Sequence, residues 1–237
     1  MATPPDAIRA ELALIAATAT SDLANEIAGL SLERQVSAAL STLPLLIPSY
    51  YDAAGSLAVD WYDEIRDESR PSSRYSPGII GAPTTDWIDR EVAKFQRELD
   101  GMDLDLAVRS QKILDEIETL AAKEIDRGYR DSILGNSRQD DDAIGWSRVA
   151  RPGACKFCVM LADKGAVYRS ESTAIFAAHG KCHCAARPAF RNGDHGPEAS
   201  VIQYVASAKR ARNEEVQAAR NARVRAYLNE NYPDAPG

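Results

Sequence analysis

No apolar run in this chain approaches the roughly 20 residues that cross a bilayer as a helix, so a membrane-spanning role is not expected. The first residues carry Asp6, Arg9 and Glu11 where a secretory leader would have a basic end and an apolar stretch. We therefore expect a protein made and kept in a cytosol, where thiols stay reduced. GxxxxGK[ST], HExxH and GxSxG are all missing, which leaves no phosphate-binding loop, zinc-protease helix or nucleophile elbow, and there is no internal repeat. Histidine is scarce, and His179, His183 and His195 are the whole supply. Cysteine is absent outside one short stretch that holds Cys155, Cys158, Cys182 and Cys184.

What is present suits a globular protein. With 237 residues, 45% of them hydrophobic and 27% charged, the chain can bury a core and divide into one or two domains. The net charge of −7 hides a division, because residues 1–145 hold 14 Lys/Arg against 27 Asp/Glu and residues 146–237 hold 14 against 8. The two parts present opposite fields to a partner. An acidic first part argues against the whole chain coating nucleic acid; the basic second part leaves room for a local contact with DNA or with an acidic protein.

The first two thirds read as helices. An Ala/Leu-rich stretch from Asp6 to Ala28 follows Pro4 and Pro5 and stops at Gly29. Ser31 can cap a second helix to about Thr42, and Ser49 to Asp67 forms a third candidate with Tyr50, Leu57, Trp61 and Ile65 on one side. Residues 68–84 concentrate Pro, Ser and Gly and read as a loop. A helix from Thr85 or Asp86 to Asp100 follows, then a longer one from Asp103 to about Leu134 with Leu106, Ile113, Ile117, Leu120 and Ile125 as its apolar stripe. One stripe per helix predicts a bundle, with Trp61 and Trp87 in the core or at a protein interface.

After the acidic run ending at Asp142 the pattern shortens. Trp146 to Ala150, Ala166 to Arg169 and Ala185 to Phe190 suit strands, and Cys155 to Ala162 a turn or short helix. Residues Glu198 to Asn229 read as a helix with Val201, Val205, Val216 and Leu228 among basic residues. The fold class expected is mainly α: an N-terminal helical bundle, then a small α+β Cys/His-rich module, then a C-terminal helix. The expected domains are an acidic helical region over 1–142, the module over 143–193, and a basic helix and tail over 194–237.

Within the module, Cys155-x2-Cys158 places two sulfurs on one tight turn, able to hold a single ion. A second pair would complete a tetrahedron: Cys182 with Cys184, or His179 with one of those cysteines. His183 lies between ligand candidates, and in an extended segment alternate side chains face opposite sides. The competing reading is that these are buried thiols packing as small hydrophobes, which four cysteines in thirty residues and none elsewhere disfavour. With all four positions filled by protein, a zinc ion would be structural. A Cys/His nucleophile is conceivable on paper, but no context marks an attacking cysteine, and no catalytic residue is assigned.

The stretch from Trp146 to Ser170, with Cys155, Cys158, Leu161, Gly165, Val167 and Tyr168, followed by His179-Gly-Lys-Cys-His-Cys184 and Pro188, resembles the phage Mu protein F-like (MuF) head morphogenesis family, most closely the type found in tailed phages of actinobacteria. One departure is Gly180, where the family usually has Pro. The resemblance covers residues 146–190. It implies a minor capsid protein, located in the virion at the capsid interior or portal vertex after assembly in the host cytoplasm, acting with portal, capsid or scaffold proteins during head assembly, DNA packaging or ejection. The expectation is a non-enzymatic bacteriophage protein with a structural Zn2+ at Cys155, Cys158, His179, Cys182 and Cys184 as candidate ligands. Phage DNA would be met by Lys209, Arg210, Arg212, Arg220, Arg223 and Arg225, although a basic helix is often only a solvated face. The alternative is a capsid maturation protease that processes scaffold or capsid protein. A fused toxin or transferase is disfavoured by the short chain left after Phe190, and a zinc-ribbon nucleic-acid binder is a weaker reading.

Overall fold

The computed structural model describes residues 6–81, 86–101, 103–150, 154–163, 184–193 and 213–235. In chain order these form α1 (Asp6–Ile27), α2 (Leu32–Glu68), α3 (Asp86–Asp100), α4 (Leu106–Gln139), β1 (Ala143–Ala150), α5 (Lys156–Ala162), β2 (Cys184–Phe190) and α6 (Glu214–Asn231). The protein is mainly helical with one small sheet. Among the described residues no helix is long and apolar enough to cross a membrane. Two compact units divide the chain: Met1–Ile65 with Tyr75–Asn136, and Arg66–Arg74 with Ser137–Gly237.

The first unit is built on a shared apolar core to which α1 gives Leu23 and Ile27, α2 gives Val36, Leu43 and Ile47, α3 gives Ile88, Val92 and Leu99, and α4 gives Ile113, Ile117 and Leu120. Trp87 packs partly buried against it. Where two helices were expected over residues 31–67 there is one, α2, with Pro44 and Pro48 inside it. Each proline removes a helix hydrogen bond and crowds the preceding turn, at about 3 kcal/mol. Leu43, Ile47, Tyr51, Ala54 and Ala58 nevertheless carry one buried stripe straight through both positions, and that tertiary burial outweighs the local penalty. The expected stripe of α4 also needs correction, since Leu106 at its first turn is 66% exposed. The helix starts there because Asp105 caps it, accepting from Val108 N–H at 2.9 Å.

Midway along, α2 and α4 approach closely. A Cβ placed on Gly128 of α4 would lie 2.3 Å from the Tyr51 carbonyl oxygen of α2, so only glycine permits the approach. Around it the Tyr51 hydroxyl donates to Asp131 at 2.7 Å and Trp61 stacks on Tyr129 with ring centroids 6.1 Å apart. Burial and the neighbouring Asp131 carboxylate hold the Tyr51 phenol well above its ordinary pKa. Residues 75–80 run as an irregular strap along this pair. The Asn136 side chain reads the strap like a peptide group, donating to Gly78 O at 2.8 Å and accepting from Gly78 N–H at 2.9 Å and from the Tyr75 hydroxyl at 2.8 Å.

In the second unit β1 and β2 pair antiparallel, with Trp146 opposite Pro188, Arg148 opposite Ala186 and Ala150 opposite Cys184. The register slips between Ala143 and Gly145. Gly145 has φ 143°, a conformation that side chains disfavour, and it serves the bulge. Residues 145–148 of β1 are all buried, so the strand is covered on both faces. The Arg138 guanidinium stacks over the Trp146 ring at 5.5 Å. The strand expected over 166–169 lies outside the described residues. The C-terminal helix is described only from Glu214, where Asn213 caps it by accepting from Glu215 N–H at 2.8 Å. Val216, one of the apolar residues noted among its basic ones, is exposed.

Candidate metal centre

The cysteine pair sits at the start of α5. Cys155 occupies the N-cap position and is half-buried, while Cys158, one turn on, is 1% exposed. Helical spacing puts residues three apart on one face, so both belong to the same side of the helix. That side packs on the end of β1: Ala154 and Cys158 form a small buried cluster joined by Ala150, Cys155 and Val159. From its other residues α5 reaches α6, where Met160 and Leu161 pack with Leu228, Val224, Tyr227 and Tyr232. Lys156 adds a hydrogen bond to the Asn229 side-chain oxygen at 2.9 Å. Burial and the Asp163 carboxylate keep the Tyr232 phenol protonated far above its usual range.

The pairing of β1 with β2 brings in a third cysteine. Cys184 is the first residue of β2 and stands opposite Ala150, which packs against the small buried cluster of Ala154 and Cys158. Partners across an antiparallel ladder have Cα atoms about 4.5–5.5 Å apart. The backbone therefore delivers Cys184 to the end of β1 that α5 covers. The donor types fit a soft, tetrahedral ion such as zinc. His179, Cys182, His183 and His195 lie outside the described residues. Within the described residues no three His, Cys, Asp or Glu side chains form a metal-binding group.

A polar constellation that the sequence reading missed anchors the other end of β1. Arg66, in the last turn of α2, donates from Nε to Asp140 at 2.7 Å and from Nη2 to the Ser73 carbonyl at 2.8 Å. Both side chains of the Arg66–Asp140 pair are essentially buried, at 5% and 0% exposure. Asp142, just before the strand, accepts from Ser72 Oγ at 2.6 Å, and from Ser73 Oγ and Ser73 N–H at 2.7 Å each. Those donors hold its carboxyl well below the usual carboxylate range. Asp140 also accepts from Asp142 N–H at 3.1 Å. The acidic run ahead of β1 is thus a lock on residues 66–74 and on the entry to the strand.

Of the six basic residues considered for DNA, Lys209, Arg210 and Arg212 lie outside the described residues. Arg220, Arg223 and Arg225 fall on α6, where Arg223 and Arg225 are exposed. Three arginines share that helix with Glu214, Glu215 and Glu230, so α6 by itself is not a basic surface.

The chain matches the VG15 protein family over residues 2–207, which takes in the bundle, the cysteine pair and β2. No curated protein matches it, and no solved structure does.

Proposed function

Starting from the fact that the chain belongs to the VG15 protein family, a phage-related viral family, we propose that it is a minor head protein of a tailed phage, of the MuF type. The observation that carries the reading is the extent of the match, 2–207, combined with the Cys155 to Pro188 pattern that resembles MuF head morphogenesis proteins. In this role the protein works without catalysis. Its helical bundle supplies protein-contact surface, and the module, stapled by zinc through Cys155, Cys158 and members of the set His179, Cys182 and Cys184, supplies a compact docking piece. The partners are the portal and other capsid or scaffold proteins, and the place of action is the procapsid and virion interior. The actinobacteriophage type rests on the same resemblance.

The test is mass spectrometry of purified procapsids and virions, with co-expression of the chain and its portal protein. We expect the chain in both particles in far fewer copies than the major capsid protein, and co-purification with the portal. Absence from both particles would overturn the proposal. Incubating the purified chain with scaffold and major capsid protein decides the competing protease reading, and no specific cleavage is the expected result.

The DNA contact through Lys209, Arg210, Arg212, Arg220, Arg223 and Arg225 is a separate part of the proposal. If these residues take phosphates, the logarithm of duplex affinity falls against log salt by about 0.9 for each phosphate neutralised. Charge removal at Lys209, Arg210 and Arg212 would then reduce that slope more than removal on α6, where Glu214, Glu215 and Glu230 oppose the arginines. A slope unchanged by all six substitutions rules the contact out.

A further inference from the structure

We propose that Arg70, Arg74 and Arg191 form a docking surface for an acidic segment of a protein partner, built on the hydrogen-bonded knot at one end of the small sheet. All three are exposed. Among the described residues none of them is engaged in an ion pair, whereas Arg66 is taken up by the buried Asp140.

The knot sets where they stand. Arg74 follows Ser73, whose N–H and hydroxyl both donate to the Asp142 carboxylate at 2.7 Å. Arg191, the first residue after β2, donates its N–H to the Asp142 carbonyl at 3.4 Å. The turn it opens is closed by Gly193 N–H on Phe190 O at 3.0 Å, and a Cβ on Gly193 would lie 3.5 Å from Ser69 Cβ. That turn therefore lies against the residue just before Arg70. Two segments far apart in sequence thus hold three arginines around one fixed backbone, and little main-chain freedom is left to lose on binding.

Arg70 is the most telling of the three. Its φ of 52° is left-handed, at a position just past α2 where glycine is the usual residue because a Cβ is crowded there. Its N–H donates to Asp67 O at 3.1 Å as the helix ends. An exposed arginine held where glycine would sit without strain is a side chain kept for what it can bind.

The chemistry of the surface selects the partner. A planar guanidinium matches a carboxylate with two parallel hydrogen bonds, and arginine is favoured over lysine at protein interfaces. Exposed Asp67, Glu68 and Asp141 lie in the same segments. They repel the continuous charge of a nucleic-acid backbone but leave room for separate carboxylates, so the mixed signs favour a protein of complementary pattern.

The test uses the full chain with a fluorescent poly-glutamate peptide as probe and a short DNA duplex as the second arm, each titrated at low and at physiological salt. The expected result is peptide binding that the combined Arg70→Gln, Arg74→Gln and Arg191→Gln variant weakens by about tenfold, the worth of three exposed ion pairs. Arg90→Gln on the exposed side of α3 should leave it unchanged. Arg70→Gly gives a readout of opposite signs, since it should raise the urea midpoint by removing the left-handed strain and still weaken the peptide, and it keeps the test readable if the triple variant does not fold. No binding of the peptide, or equal binding by the triple variant, overturns the proposal. So does a lower midpoint in Arg70→Gly, which would make the arginine a structural residue. Tighter binding of the duplex, lost in the same variants, would overturn it in favour of a phosphate contact. None of these outcomes depends on whether the chain enters virions.

Discussion

Gly128→Ala is expected to lower the free energy of unfolding by about 2–4 kcal/mol, although alanine favours a helix over glycine by about 1 kcal/mol. The added methyl would meet backbone atoms of Tyr51, at 2.3 Å from O, 2.9 Å from C and 3.0 Å from Cα, and a helix backbone cannot step aside as a side chain can. The whole crossing must open, loosening Tyr51 with its bond to Asp131 and the Trp61–Tyr129 stack. Two other glycines calibrate the effect. At Gly55 the methyl would meet side-chain tips, Ile79 Cγ2 and Ser132 Oγ at 2.9 Å, so a smaller loss is expected. At Gly29 nothing lies within 4 Å, and the change should stay within about 1 kcal/mol in either direction. Urea unfolding of the three variants gives the order, and a Gly128→Ala protein as stable as wild type would mean that the two helices do not approach this closely.

That crossing also shows which parts of the fold the sequence could reveal. The limits of α1 and α3 were legible because a Gly stop and acidic first turns are local signals. The continuity of α2 was not, since prolines are read as breaks and the burial that overrules them is tertiary. The expected stripe of Tyr50, Leu57, Trp61 and Ile65 caught only two fully buried residues, Trp61 and Ile65. The inward face also includes Tyr51 and Tyr62, and between them Ala54, Gly55 and Ala58, small residues that hydrophobic periodicity weights lightly. Small residues there are what allow two helix backbones to come together.

For the candidate site, the pair at Cys155 and Cys158 was visible from spacing, and the short helix that carries it was among the forms expected. The pairing of Cys184 with Ala150 at the end of β1 was not, because strand register joins residues more than thirty positions apart and single-sequence patterns carry no register. The Arg66–Asp140 pair spans 74 positions and was invisible for the same reason. An Asp-rich segment before a strand reads as solvated until a buried guanidinium is placed against it.

That buried pair gives the other large expected effect. Arg66→Met should destabilise the protein by about 3–5 kcal/mol, because it leaves the fully buried Asp140 carboxylate without its guanidinium and takes the donor from the Ser73 carbonyl. Asp140→Leu should cost a similar amount for the converse reason. The pair replaced together, Arg66→Met with Asp140→Leu, should cost well under the sum of the two, since no uncompensated charge is then buried. Additive losses in that cycle would mean that the two groups are not coupled.

Acid adds a second readout, on Asp142. Its folded-state pKa is lowered, so its contribution is present at pH values above the unfolded value of about 3.9 and is lost as pH falls through the lower folded value. The link from Asp142 to Ser72 and Ser73 should therefore hold across neutral and mildly acid pH and give way only in strong acid. Removing the donors with Ser72→Ala and Ser73→Ala moves the carboxyl back toward its ordinary range. The Asp142 contribution should then be smaller, and what is left of it should be lost at a higher pH than in wild type. An acid-unfolding profile unchanged by the double variant would show that β1 is held by Arg66 and Asp140 alone.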